Sequence, residues 1–211
     1  EGSPAVTLIA CSITSNTASN NYGGGIYNYG GNTHLYGVLF SGNSAFSGAA
    51  DVYQTGGTIT VYTTCPAGYT FATKGSALGV GGTVSGSLFS YSCSVCSAGT
   101  YRTTSLSACT SCDAGRYLSD AASLAALHDE VADCFVCGAG KYRVGTGGSA
   151  EASCTVCGAG KYGTATGQIA ESSCTACGAG QYGVAAGQTD DSKLSSSVCV
   201  DCAAGKYSEA S

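Results

Sequence analysis

A chain of 211 residues is long enough for one or two domains, yet Ile, Leu, Val and Phe supply 34 of them, about 16%, too little aliphatic bulk for one large core. The formal net charge is -5 with 10% charged residues, which lacks the high charge of disordered chains. With eight Lys and Arg against 13 acids, no basic stripe is available for nucleic acid or an anionic membrane surface. No stretch approaches about 18 consecutive apolar residues, so no membrane span is expected in this segment. It begins at Glu1 with no charged n-region or apolar h-region, so a secretory leader is expected to have been removed or to lie upstream.

The N-terminal third repeats. A double glycine followed by a polar and a β-branched residue recurs at Gly30-Gly31-Asn32-Thr33, Gly56-Gly57-Thr58-Ile59 and Gly81-Gly82-Thr83-Val84, spaced 26 and 25 residues apart. Ile13 to Ala18 lines up with Phe40 to Ala45, and Gly25-Ile26-Tyr27 with Asp51-Val52-Tyr53. Short alternating segments such as Val6 to Ile9, His34 to Tyr36 and Thr58 to Tyr62 read as strands. Several strands per unit of about 25 residues, with glycine corners and no room for a crossover helix, predict stacked coils of a parallel β-helix. Asn16 and Asn43, one period apart, are placed to stack as a polar corner ladder. The Gly24-Gly25-Ile26 and Phe40 to Asn43 strings resemble those of the right-handed β-helix of pectin-lyase-like and polymorphic surface proteins. The expected β-helix covers residues 1–64, with a possible extension to about 92; its matched part, 5–64, amounts to under three coils, so further coils before Glu1 or a packing partner there are expected.

From residue 65 the period is set by cysteine. Pairs of the form Cys-x-x-Cys occur at Cys93/Cys96, Cys109/Cys112, Cys134/Cys137, Cys154/Cys157, Cys174/Cys177 and Cys199/Cys202. Each second Cys opens the string Cys-x-Ala-Gly-x-Tyr, ending at Tyr101, Tyr117, Tyr142, Tyr162, Tyr182 and Tyr207, and Cys65 to Tyr69 is a shortened first copy. The best-matched units share Gly147/Gly167, Glu151/Glu171 and Ser153/Ser173, with a third copy at Gly187 and Asp191. This string resembles the ephrin-receptor-like cysteine-rich repeat, which is related in form to the single-disulfide module of tumour-necrosis-factor receptors. The fold class expected for the chain is therefore all-β repeat protein: a short parallel β-helix, then tandem disulfide-rich modules with little regular secondary structure.

Twelve of the 14 cysteines fall in the last 119 residues. Tetrahedral zinc is the rival reading of repeated Cys-x-x-Cys, but six tandem pairs would need three metals and Ala-Gly-x-Tyr has no ligand role. A thioredoxin-like redox motif wants one pair in a βαβ setting. Disulfides fit better and imply an extracellular or cell-surface location. If each unit closes on the next cysteine, the bridges are Cys65 to Cys93, Cys96 to Cys109, Cys112 to Cys134, Cys137 to Cys154, Cys157 to Cys174 and Cys177 to Cys199. These define modules 65–93, 96–109, 112–134, 137–154, 157–174 and 177–199, with a partial unit at 202–211. Cys202 and Cys11 are left unpaired within this chain. A crossed pattern, first to third and second to fourth, is the alternative. The motif glycine is expected at positive φ in a turn, and the tyrosine against a disulfide of its own or the adjoining unit. One helix is expected, Ser119 to Ala132, with Ser119 as N-cap and Leu124, Leu127 and Val131 on one face. His128, Asp129 and Glu130 are read there as a solvated surface rather than a metal cluster, because consecutive helical residues diverge.

Residues 1–92 hold only Glu1, Asp51 and Lys74 as charges, which assembles neither the carboxylate pair of a glycosidase nor the calcium and base of a lyase. His34 stands alone among strand residues, and no catalytic residue, metal or cofactor is expected. Two non-enzymatic functions remain. One is a self-assembling structural protein of an extracellular fibre, wall or appendage, whose composition and module type are similar to subunits of algal flagellar hairs (mastigonemes). Its expected partners are copies of itself or sister subunits. The other is the ectodomain of a receptor or adhesin that binds a protein or glycan. No Asn lies in an Asn-x-Ser/Thr sequon, so N-glycans are not expected and any glycan is expected O-linked on Ser or Thr.

Overall fold

The computed structural model describes residues 5–105, 107–183, 185–189 and 199–206. Glu1, Asp191 and Tyr207 lie outside the described residues. The chain divides into two compact units, Glu1–Val95 and Cys96–Ser211. Described strands dominate, and the helical turns are three-residue 3-10 segments.

The first unit is a β-solenoid of about three turns. One turn carries β1 (Ala5–Ile9), β2 (Ser12–Thr14), β3 (Thr17–Ala18) and β4 (Ile26–Asn28). The next repeats it with β5 (Asn32–Tyr36), β6 (Leu39–Ser41), β7 (Ser44–Ala45) and β8 (Val52–Gln54). The third opens with β9 (Thr58–Tyr62), then departs into a long strand, β10 (Tyr69–Ala77). It rejoins the stack through β11 (Val80–Gly81) and β12 (Val84–Gly86). A last strand, β13 (Phe89–Val95), runs antiparallel to β10.

The sheets are parallel ladders: β1-β5-β9-β12, β4-β8-β11, β2-β6 and β3-β7. Registers join Asn32 to Thr58 and Ile59 to Val84, the 26- and 25-residue steps of the glycine pairs. Parallel stacking thus continues past residue 64 to Gly86.

Alternation decides which side chains enter. On β5 and β9, Thr33, Leu35, Ile59 and Val61 are buried while His34, Tyr36 and Tyr62 face outward. The small core is Leu35, Val38, Phe40, Val52, Ile59, Val61 and Leu78. Corners are polar and paired. Asn16 Nδ2 donates to Asn43 Oδ1 (3.2 Å), Asn43 Nδ2 donates to Asp51 Oδ1 (2.9 Å), and Asp51 Oδ2 accepts the Gly79 N–H (2.9 Å). Asp51, the charged residue of the second turn, is consumed in holding this corner. Gly57 is at φ 73, and a Cβ there would lie 1.7 Å from the Gly31 carbonyl oxygen, so only glycine admits the neighbouring turn so closely.

The second unit is a run of two-stranded antiparallel ribbons, one per module: β14 (Thr100–Tyr101) with β15 (Thr110–Ser111), and β16 (Arg116–Tyr117) with β17 (Phe135–Val136). Then come β18 (Lys141–Tyr142) with β19 (Thr155–Val156), β20 (Lys161–Tyr162) with β21 (Thr175–Ala176), and β22 (Gln181–Gly183) with β23 (Cys199–Asp201).

The helix expected over Ser119 to Ala132 does not form. In its place stand two 3-10 turns, Ala125–Leu127 and Val131–Asp133. No side chain caps the first of these turns; ahead of it Asp120 accepts the Ser123 N–H at 2.8 Å. Ala122 sits at φ 64, which interrupts a right-handed helix. The apolar stripe faces outward: Leu124, Leu127 and Val131 are 59%, 44% and 49% exposed.

Candidate functional site

Six disulfides close the modules: Cys65 to Cys93, Cys96 to Cys109, Cys112 to Cys134, Cys137 to Cys154, Cys157 to Cys174 and Cys177 to Cys199. Cys65–Cys93 lies within the first unit, where it ties β13 to the chain leaving β9. Cys11 and Cys202 are free and half-buried. Burial pushes the Cys11 thiol up, against a smaller lowering by a backbone hydrogen bond, so it is held as a thiol rather than a reactive thiolate. Among the described residues no group of three or more His, Cys, Asp or Glu side chains could hold a metal ion.

The modules are not independent beads. Gly99 N–H donates to the Leu118 carbonyl (2.8 Å), Leu118 N–H to Gly148 (2.8 Å), Gly140 N–H to Gly163 (2.7 Å) and Gly163 N–H to Gln188 (3.0 Å). Each bond joins one module to the next. The motif glycines stand at positive φ, for example 72 at Gly140, and reach further: a Cβ on Gly99, Gly115 or Gly140 would meet the carbonyl oxygen of Gly147, Gly167 or Gly187, two modules on, at 2.3–2.6 Å. The tyrosines complete the overlap. Tyr101 packs on Cys112 and Cys134, and Tyr162 on Cys177 and Cys199, in each case the disulfide of the following module. Lys141 with Glu151 (2.6 Å) and Lys161 with Glu171 (3.1 Å) form equivalent solvent-screened surface ion pairs, which add little to stability.

Module 112–134 breaks the pattern. Its disulfide spans 22 residues where the next two span 17, and the added chain wraps around His128. That residue is 0% exposed, correcting the solvated surface expected from sequence. Its Nδ1 lies 2.7 Å from the Thr100 carbonyl oxygen and its Nε2 3.0 Å from Asp120 Oδ2. The ring thus has an oxygen acceptor within hydrogen-bond reach of each nitrogen. It thereby pins the loop of one module to the strand of the previous one. Hydrogen bonds hold the Asp120 carboxyl down at about 2, first from the Ser123 hydroxyl, then from the Ser123 N–H, His128 and the Leu124 N–H, against some desolvation.

Beside this pair lies a cavity of about 340 Å³ lined by Leu118, Ser119, Asp120, Leu127, Asp133 and Phe135. Leu118 forms its buried floor while Phe135 is 59% exposed. Asp133 uses Oδ2 to accept the Glu130 N–H (3.0 Å); its Oδ1 accepts no hydrogen bond among the described residues. Four of the chain's 13 acids, Asp120, Asp129, Glu130 and Asp133, fall between residues 119 and 135. The volume suits a side chain or small ligand, and the rim favours a cation with an apolar shaft. No sequence signal beyond the longer cysteine spacing marks this pocket. His34 is elsewhere, on β5, with Nδ1 3.1 Å from the Tyr62 hydroxyl.

No protein-family model matches the chain, and no curated protein is similar to it.

Proposed function

We propose that this chain is a non-enzymatic structural protein of an extracellular fibre, wall or cell-surface appendage, built to assemble with copies of itself or sister subunits. The observation that carries the reading is the repeat-to-repeat backbone hydrogen bonding in each unit. Coils in one and modules in the other hand hydrogen bonds to their neighbours, the quasi-one-dimensional construction of repeat proteins. Six disulfides support an extracellular location, and low charge with small residues suits close lateral packing. The modules resemble the ephrin-receptor-like repeat and the coils those of pectin-lyase-like proteins, and the composition and module type are similar to those of mastigoneme subunits. Any glycans are O-linked on Ser or Thr. Negative-stain electron microscopy of native source material tests the reading: filaments are expected, whereas isolated particles, or a monodisperse monomer in light scattering at high concentration, would reject it.

The pocket beside His128 and the exposed Phe135 favour a second reading, an ectodomain of a receptor or adhesin that binds a protein or glycan ligand. Saturable capture on a protein or glycan array by a chain that stays monomeric would select it.

A further inference from the structure

The antiparallel ribbon β10–β13 is the departure from parallel stacking in the first unit, and it carries an unusual patch. Leu88 and Phe89 are 53% and 40% exposed, and Lys74 Nζ stands 3.9 Å over the Phe89 ring. Lys74 and Asp51 are the charged residues of the described first unit, and no described carboxylate pairs with Lys74. Its ammonium rests on the aromatic face in a cation–π contact at the exposed edge of the ribbon. The departure in the second unit is its counterpart, an apolar cavity walled by Leu127 and Phe135, with Asp133 Oδ1 unengaged and acids Asp129 and Glu130 nearby in sequence. Asp120 is already engaged by Ser123, Leu124 and His128, which leaves Asp133 Oδ1 as the carboxylate oxygen of the pocket free to meet a cation.

We propose that Lys74 and Phe89 of one copy seat in the Leu127–Phe135–Asp133 pocket of a second copy. This rests on the self-assembly reading above and supplies its contact. The two surfaces differ, so the contact is heterologous: every copy offers one of each, and association continues from copy to copy without closing by two-fold symmetry. Apolar walls desolvate the lysine stem and the acid answers its charge, the combination expected of a contact hot spot.

Two variants of the full chain test this. Lys74→Glu spoils the inserting patch, and Leu127→Lys, at a 44% exposed position, fills the pocket with its own cation. Sedimentation velocity is run on each alone and on an equimolar mixture, with peptide mapping to show that the six disulfides are kept. Each variant alone is expected to raise the concentration at which association begins about tenfold or more. The mixture is expected to form a 1:1 complex, because Lys74 on one partner and the open pocket on the other leave one contact intact. Unchanged association of both variants overturns the proposal and leaves self-assembly standing. Wild-type chain that stays monomeric at every concentration overturns both. A lysine-bearing peptide that binds the pocket while self-association is unaffected by either variant assigns the pocket to another protein, which also overturns it.

Discussion

At the scale of single residues, His128 shows how a polar side chain becomes a structural centre when its surroundings satisfy it. A fully buried imidazole is tolerable because the Thr100 carbonyl oxygen and an Asp120 carboxylate oxygen lie within hydrogen-bond reach of its two nitrogens. Removing one partner strands the other, so Asp120→Asn and His128→Ala are each expected to loosen the 119–134 loop. Faster backbone hydrogen exchange confined to that loop is the measurement. The pH dependence follows from Asp120, whose carboxyl is depressed in the folded chain from 3.8 to about 2. Its stabilising contribution is present above the unfolded value and is lost as pH falls from about 4 towards 2. Exchange in the loop should therefore quicken across that window in the wild type and show no such step in Asp120→Asn.

Glycines and core positions act at the scale of one turn or module. Gly140 combines φ 72 with the Gly187 carbonyl oxygen 2.6 Å from where a Cβ would lie. Gly140→Ala is expected to cost more than about 1 kcal/mol and to disturb module 177–199 as well as its own. In the solenoid, Ile59 is wholly buried between Thr33 and Val84; truncating it to Ala should cost about 2–5 kcal/mol, read by denaturant melting. Each Cys-to-Cys closure contributes about 3 kcal/mol in the chain-entropy model. Non-reducing peptide mapping is expected to recover Cys137 linked to Cys154, and Cys137 linked to Cys157 would contradict the bridges described above.

For the whole molecule, the two units should respond differently to a reductant. The first loses one disulfide, Cys65 to Cys93, and keeps its parallel ladders and aliphatic core. The second loses five and has few other buried apolar side chains. Under reducing conditions exchange protection should survive across residues 26–62 and collapse across 96–202. Loss of protection in both together would show that the solenoid depends on the modules.

Much of this was written in local pattern. The 26- and 25-residue steps between glycine pairs are the strand registers, because a parallel coil must return to the same face after one turn. The Asn16–Asn43 corner follows from the same period, and the spacing of Cys-x-Ala-Gly-x-Tyr marks the modules and the turn that needs its glycine. What local pattern could not carry is whatever depends on a neighbour distant in sequence. Leu124, Leu127 and Val131 spell an amphipathic helix, yet the segment yields it because His128 gains partners in Thr100 and Asp120 that no helix face would offer. The long ribbon β10–β13, the reach of Gly99, Gly115 and Gly140 across two modules, and the acidic pocket at Phe135 likewise arise from packing between segments. The sequence by itself determined the repeats and their periods, since those are properties of one turn of chain. The tertiary structure alone decided where a period is broken, because an irregular loop takes its shape from the partners it buries.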